Sequence, residues 1–476
     1  MNRLFGEPER RRLKNRLRLG EAKYRAPQVF AEGGEWPGDW QGRTLLALGC
    51  HYEMAAEAEE REDILAQAEE ILQLLPTYTN AEGYFGEPYD SECVNEQQLS
   101  GNSWFLRGLC KWYSLLHDEA IYARLERIVQ SLLMKLMPAY ARYPAGKREE
   151  GGVDGHLQEK PVDGWKLSSD VGCAFILLDG ITDVYATTKE DRLAEVIRGM
   201  IGGFDKIDYV ANRCQTHATL TAARGIFRFY RTTGETKYLA KVQEIFRLYC
   251  ESGMTASYAN FNWFGKVSWI EPCAVVDSLL LAVQLYRETG EYEYARTANR
   301  IYLNAFRLAQ RPNGGAGCDT CLCGEESAYK TVMYEAFFCC SMRYAEGLLC
   351  LYENAMFERS GTKVLLFPVS CTDGKKTVRV KEKGQNRQIG VQGSGNLQVY
   401  VPREAQCDRE TDGGFAMLAD RDVIRVTMQE HTEERAGLQV RMLGDALLLR
   451  EDKKYFPAAE KELYTQEEVE RRIFFA

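Results

Sequence analysis

The sequence predicts a mainly α protein: an (α/α)6 toroid followed by a small β-sandwich-like domain. Three observations point that way. Apolar residues between 40 and about 358 recur at i, i+3 and i+4, as in Ile121-Leu125-Ile128-Leu132 and Val276-Leu279-Leu280-Val283. A loose turn pattern repeats at the ends of these helical stretches. After Ser360 the texture changes to short, β-branched, alternating runs.

Residues 1–35 read as a helical or extended lead-in, beginning MNRLFGEPERRRLKNRLRLG. No apolar run of signal-peptide length occurs there, and none anywhere reaches the roughly 18 residues of a membrane span. A cytoplasmic location is expected.

Residues 36–358 read as the toroid. The repeated turn appears in KWYSLLHDEAIYARLERI, DVYATTKEDRLAEVI, RFYRTTGETKYLAKVQ and QLYRETGEYEYARTANR, with a looser copy at CHYEMAAEAEEREDIL. Each has a helix ending in an aromatic, a short polar turn, then a new helix. The anchoring tyrosines are Tyr52, Tyr113, Tyr185, Tyr230 and Tyr286. Their spacing is too long and irregular for a tight solenoid. Five turns and a last helix at about 341–354 make six hairpins, and six hairpins arranged radially make a toroid. An open α-solenoid is the alternative.

Residues 363–476 read as the β-sandwich-like domain, with KVLLFPVS, KTVRVKE, RQIGVQG, NLQVYVP, VIRVTMQEH and LQVRML as strands and a C-terminal helix or tail. The boundary falls at 358–363, in ERSGTK.

The chain has 476 residues, a net charge of −9 and a pI near 5.5, so nucleic acid is not the expected partner. No P-loop, dinucleotide glycine motif, Gly-x-Ser-x-Gly or His-Glu-x-x-His is present. Fifteen scattered cysteines suit buried thiols and metal ligands better than a disulfide framework.

Three cysteine clusters carry chemical interest. FFCC places Cys339 and Cys340 just before a helix, and Glu271-Pro272-Cys273 opens another. Proline is favoured in a first helical turn because its missing N–H would be unpaired there. One carboxylate and three thiolates would complete a zinc tetrahedron, and helix N-termini favour anions. Cys318-x-x-Cys321, with Cys323 beyond it, has conventional zinc spacing and competes for the same ion. Spacing alone does not distinguish a metal site from buried thiols, nor one cluster from another.

The run IEPCAVVDSLLLAVQLYRETGEYEYARTANRIYLNAF, followed by FFCCSMRYAEGLL, resembles the signature of glycoside hydrolase family 127, the β-L-arabinofuranosidases and their relatives. THATLTAARGIFRFYRTTGE and NEQQLSGNSWFLRGLCKWY resemble two further segments, so the resemblance covers about 36–358. It implies zinc held by Glu271, Cys273, Cys339 and Cys340, and a retaining mechanism with Cys339 as nucleophile. It places His217 and Glu96 against the sugar and makes a carbohydrate the substrate. The remaining expectations are no membrane partner and a homodimer as the candidate assembly.

The sequence also departs from the family. The stretch matching its acid/base loop, GMTASYANFNW at 253–263, has no Asp or Glu, and Glu251 lies just outside. Asn95-Glu96 replaces a His-Glu pair, and no histidine lies between His156 and His217. An acid from elsewhere, such as Asp319, Glu325, Glu326 or Glu335, is one solution. Loss of hydrolysis with a structural zinc retained is the other. A different (α/α)6 carbohydrate-active enzyme is a third reading.

Overall fold

The computed structural model describes residues 1–31, 34–146, 155–320, 332–451 and 454–457. The chain forms two compact units. One comprises Leu19–Gly253 and Phe261–Ser268; the other comprises Met1–Arg18, Met254–Asn260 and the chain from Trp269 onward.

The longer helices are α1 (Glu7–Leu19), α2 (Asp39–Met54), α3 (Ala58–Tyr78), α4 (Glu96–Leu116), α5 (Glu119–Ser131), α6 (Leu177–Thr188), α7 (Asp191–Phe204), α8 (Thr216–Thr233), α9 (Thr236–Ser252), α10 (Pro272–Thr289), α11 (Tyr292–Ile301) and α12 (Cys340–Asn354). From α2 onward they alternate in character. The even-numbered helices α2, α4, α8, α10 and α12 are buried almost all round, including their polar positions, and α6 is buried over its first half. The odd ones bury one stripe, as α9 does with Tyr238, Val242, Ile245, Phe246 and Tyr249. That alternation of inner and outer helices is the (α/α)6 arrangement, and a strand-rich region follows it.

Inner helices of the first unit touch closely. A Cβ on Gly42 of α2 would lie 2.1 Å from the backbone nitrogen of Phe105 on α4. One on Gly225 of α8 would lie 2.4 Å from the Leu178 carbonyl carbon of α6. Both neighbours are backbone, so glycine is required for this approach.

The repeated turn has a physical explanation. The carbonyls of Tyr113, Tyr185, Tyr230 and Tyr286 accept hydrogen bonds from the N–H of His117, Lys189, Gly234 and Gly290. Those four residues are left-handed, at φ 52°, 56°, 76° and 75°. They end their helices by the left-handed cap. In three turns a threonine then accepts from the backbone N–H of the next helix's N-cap: Thr188 from Glu190, Thr233 from Glu235 and Thr289 from Glu291. The fifth turn differs, since at the end of α2 the N–H of Ala55 donates to His51 rather than to Tyr52.

In the strand-rich region, ERSGTK is itself the turn of the first hairpin, between Met356–Arg359 and Thr362–Leu365. Ser360 and Gly361 are both left-handed, as a tight hairpin turn requires. That hairpin belongs to a five-stranded sheet. A six-stranded sheet runs from Arg3–Leu4 through Cys371–Thr372, Thr377–Lys383, Asn386–Gln392 and Val423–Met428 to Ala405–Cys407. Asn386–Gln392 and Val423–Met428 alternate buried and exposed residues, so one face of this sheet is packed. The lead-in thus begins as an edge strand paired to Cys371–Thr372. The expected C-terminal helix or tail lies outside the described residues.

Candidate metal centre

A small three-stranded sheet organises the site. Its central strand, Gly317–Thr320, pairs antiparallel with Trp269–Ile270 on one side and Val332–Glu335 on the other. Trp269–Ile270 leads directly into Glu271 and α10. Val332–Glu335 leads into Cys339 and α12. Two segments some 65 residues apart therefore deliver their helix starts to one place.

Glu271 is the N-cap of α10 and Cys273 lies in its first turn; Cys339 is the N-cap of α12 and Cys340 its first residue. One donor atom from each of Glu271, Cys273, Cys339 and Cys340 lies within 4.8 Å of the others. The Cys340 sulfur is 3.3 Å from that of Cys273 and 3.4 Å from that of Cys339. These distances are far beyond a disulfide bond of about 2.05 Å. A zinc tetrahedron with Zn–S near 2.3 Å separates its sulfurs by about 3.8 Å, so a few tenths of an ångström of opening would admit the ion. The donor set fits zinc in number, softness and spacing. Cys273 and Cys340 are buried, and Cys339 is partly exposed.

Burial, the largest cause, pushes the Cys340 thiol well above the ordinary range. Without a cation the proton stays on sulfur. Metal uptake at such a site releases protons, because the ligand is the thiolate.

Further residues hold the two helix starts. The N–H of Glu271 donates to the Asn260 side chain at 3.1 Å, and Asn260 is fully buried. Arg343, one turn into α12, forms a buried ion pair with Asp277, one turn into α10. Ser341 donates to Glu335 at 2.9 Å and accepts from the N–H of Ala316 at 3.0 Å. Glu335 in turn receives two hydrogen bonds of 2.9 Å from Arg18 and one of 2.8 Å from Asn313. It is therefore committed to a buried ion pair and stands as a support of the α12 start.

His217 and Glu96 belong to the other unit. His217 is buried on α8, stacked on Trp104 at 5.9 Å, with its Nδ1 3.2 Å from the Thr221 hydroxyl. Arg43 also lies over that tryptophan, 4.0 Å from the ring centroid, and is paired to Asp39 at 2.7 Å. Glu96 opens α4, fully buried. One carboxylate oxygen accepts from the Tyr143 hydroxyl at 2.7 Å and the other from the N–H of Ser168 at 2.6 Å.

No family profile matches the chain, and no curated protein matches it. Solved structures do. A GH127 β-L-arabinofuranosidase from Geobacillus stearothermophilus T6 aligns over 93% of this chain and 80% of its own, at 12% identity and a TM-score of 0.60. A second structure, a glycoside hydrolase, aligns over 92% and 80%, at 11% identity and a TM-score of 0.61. A GH127 β-arabinofuranosidase aligns over 92% and 79%, at 10% identity and a TM-score of 0.60. The fold is the one these enzymes have. At such low identity the likeness speaks for fold, and the chemistry must be argued from the residues.

In sequence, the quartet was visible as two short motifs. Asn260, Asp277, Ser341 and Arg18 were not, because their contacts, from 6 to 317 residues apart, follow no local spacing. Among the other acid candidates, Asp319 is described only in its backbone, paired with Ile270. Glu325 and Glu326, like Cys321 and Cys323, lie outside the described residues.

Proposed function

We propose that the protein is a zinc-dependent retaining glycoside hydrolase of the β-L-arabinofuranosidase kind, with Cys339 as its nucleophile. The observation that carries this is the convergence of Glu271, Cys273, Cys339 and Cys340 at two helix starts, within 4.8 Å, in a chain of this fold. Zinc bound there would keep the cysteines as thiolates at neutral pH. Glu271, Cys273 and Cys340 would hold the ion. Cys339, the partly exposed thiol, is the one a substrate can reach. Its sulfur attacks the anomeric carbon as the glycosidic C–O bond breaks, and water then displaces the sulfur with overall retention. An acid must protonate the leaving oxygen and later accept a proton from water. Glu335 does not suit that task, since both its oxygens are taken by hydrogen bonds from Arg18, Asn313 and Ser341.

A second reading has its own observation. The loop at 253–263 has no carboxyl group, and its Tyr258 hydroxyl is taken by Glu433 and Arg300. A carbohydrate-binding scaffold with a structural zinc would need no acid.

Elemental analysis of the purified protein tests both, with one zinc per chain expected. A furanosyl haloacetamide separates them. The enzyme labels at Cys339 and cleaves an aryl β-L-arabinofuranoside, and both signals vanish in Cys339→Ser. Zinc without labelling or cleavage across a panel of aryl furanosides and pyranosides favours the scaffold. A metal-free protein removes both readings.

A further inference from the structure

The strand-rich region and the helical stretch that continues α11 line a cavity of about 140 Å3, and none of the quartet lines it. One wall is the stripe Asn299, Leu303 and Arg307, at i, i+4 and i+8. The helix is irregular in that wall. Tyr302–Phe306 is a π-turn, set between Ile301, where α11 ends, and Arg307. Such turns inside helices occur frequently at functional sites. The strand-rich region contributes the apolar Met428 and Leu443, the Tyr400 ring, and a hairpin turn at Gly384 and Gln385 with Arg387 just beyond it.

Three polar side chains of this lining keep bonding capacity. Arg387 is 9% exposed and donates from Nε to Glu382 at 2.6 Å. Arg307 donates from Nε to Glu7 at 3.1 Å. Among the described residues, the terminal nitrogens of both guanidinium groups make no hydrogen bond. Asn299 is 1% exposed and donates from Nδ2 to the carbonyls of Ala295 and Leu366, each at 3.0 Å. Nothing among the described residues donates to its Oδ1. The carboxylates of the lining do not offset these donors. Asp445 is fully engaged, with one oxygen accepting from Arg300 at 2.8 Å and the other from Tyr400 at 2.7 Å. Glu382 is exposed and takes only the Arg387 Nε.

We propose that this cavity binds a small hydroxy acid, of monosaccharide size or less. The guanidinium ends of Arg387 and Arg307 supply donors for its carboxylate, a planar acceptor that matches arginine's fork. A hydroxyl of the same molecule donates to Asn299 Oδ1. Leu303, Met428 and Leu443 cover its C–H face, as apolar lining does in small-molecule sites. Sites for drug-sized ligands begin at about 300 Å3, so this one takes a smaller molecule. Such a ligand gives partners to polar groups whose burial is otherwise costly. The quartet takes no part, so this site stands or falls independently of the zinc reading.

Calorimetric titration of the full chain tests it, with D-galacturonate as the probe. D-Galactose, which has a hydroxymethyl group in place of the carboxylate, and inorganic phosphate are the comparators. The expected result is one galacturonate per chain, with both comparators at least tenfold weaker. Arg387→Gln should weaken galacturonate binding by about tenfold or more, and Arg387→Lys should not restore it, because the charge returns without the fork. Gln385→Glu adds a negative charge on the exposed turn of the lining and buries nothing, so it should fold normally and weaken binding severalfold. It carries the test if the Arg387 variants do not fold. Absence of galacturonate binding overturns the proposal. So does galactose or phosphate binding as tightly, since the carboxylate or the hydroxyl is then not what is read. Binding that survives both Arg387→Gln and Gln385→Glu unchanged puts the ligand elsewhere and overturns it too.

Discussion

Arg343 on α12 and Asp277 on α10 form an ion pair with both side chains buried, about one turn below the thiols that each helix start presents. Glu346 adds a second carboxylate to the same guanidinium. The pair joins the two helices that must keep their N-termini together for a cation to be held.

Breaking that pair should cost stability and metal affinity together. Arg343→Met leaves Asp277 charged in a dry environment and should destabilise the protein by about 3–5 kcal/mol. Asp277→Leu combined with Arg343→Met should recover most of it, because replacing both charges removes the uncompensated one. Denaturant melts of the singles and the double measure the coupling. Zinc affinity by chelator competition should fall in the singles by about tenfold or more.

Glu335→Gln should behave as a stability variant. It leaves the buried Arg18 without its carboxylate partner, and a loss of about 3 kcal/mol is expected. If glycosidase activity is found, its pH profile should keep its shape in this variant. A lost limb of the profile would show that Glu335 is the acid/base after all.

In the helical unit, Asp179 is fully buried among Arg107, Arg224 and Arg228. Burial alone would raise its pKa, yet the three guanidinium groups hold it far below the ordinary value of 3.8. The folded state thus favours the ionised form more than the unfolded chain does. That contribution is complete above about pH 5 and is lost progressively as pH falls below the unfolded value near 3.9. Thermal melts should show falling stability below pH 4. Asp179→Asn should be less stable at pH 7 and show a shallower acid decline.

The helix-ending turns offer a cleaner comparison. Gly234→Ala places a Cβ at φ 76° with nothing within 4 Å, so its cost of about 1 kcal/mol is purely conformational. His117→Gly and Lys189→Gly relieve the same strain and should raise the melting temperature slightly, or leave it unchanged where the gain is offset by the flexibility of the unfolded chain. A clear drop in either would show that the side chain contributes more than its backbone costs.

What could be read in advance follows the range of the interactions. Tyr230-Arg-Thr-Thr-Gly-Glu spells its own turn, because cap, threonine and next N-cap lie within six residues. The alternation in Asn386–Gln392 likewise states its buried face locally. Glu-x-Cys and Cys-Cys were legible as fragments, but their meeting depends on pairing Trp269–Ile270 with Gly317–Thr320, which no local pattern announces. Glu335 looked like a surface acid because its partner Arg18 stands 317 residues away. Texture also hid Arg3–Leu4, a two-residue strand whose mate is Cys371–Thr372.

That last pairing bears on how the molecule is made. The unit of Leu19–Gly253 and Phe261–Ser268 is nearly contiguous, so its parts are made close together in time. The strand at Arg3–Leu4, and the Arg18 that supports the cysteine-bearing helix start, must wait for partners synthesised on the order of tens of seconds later. Residues 1–18 are therefore made before these partners and placed only after them. A change there should spare the helical unit and instead disturb the helix start that carries Cys339 and Cys340.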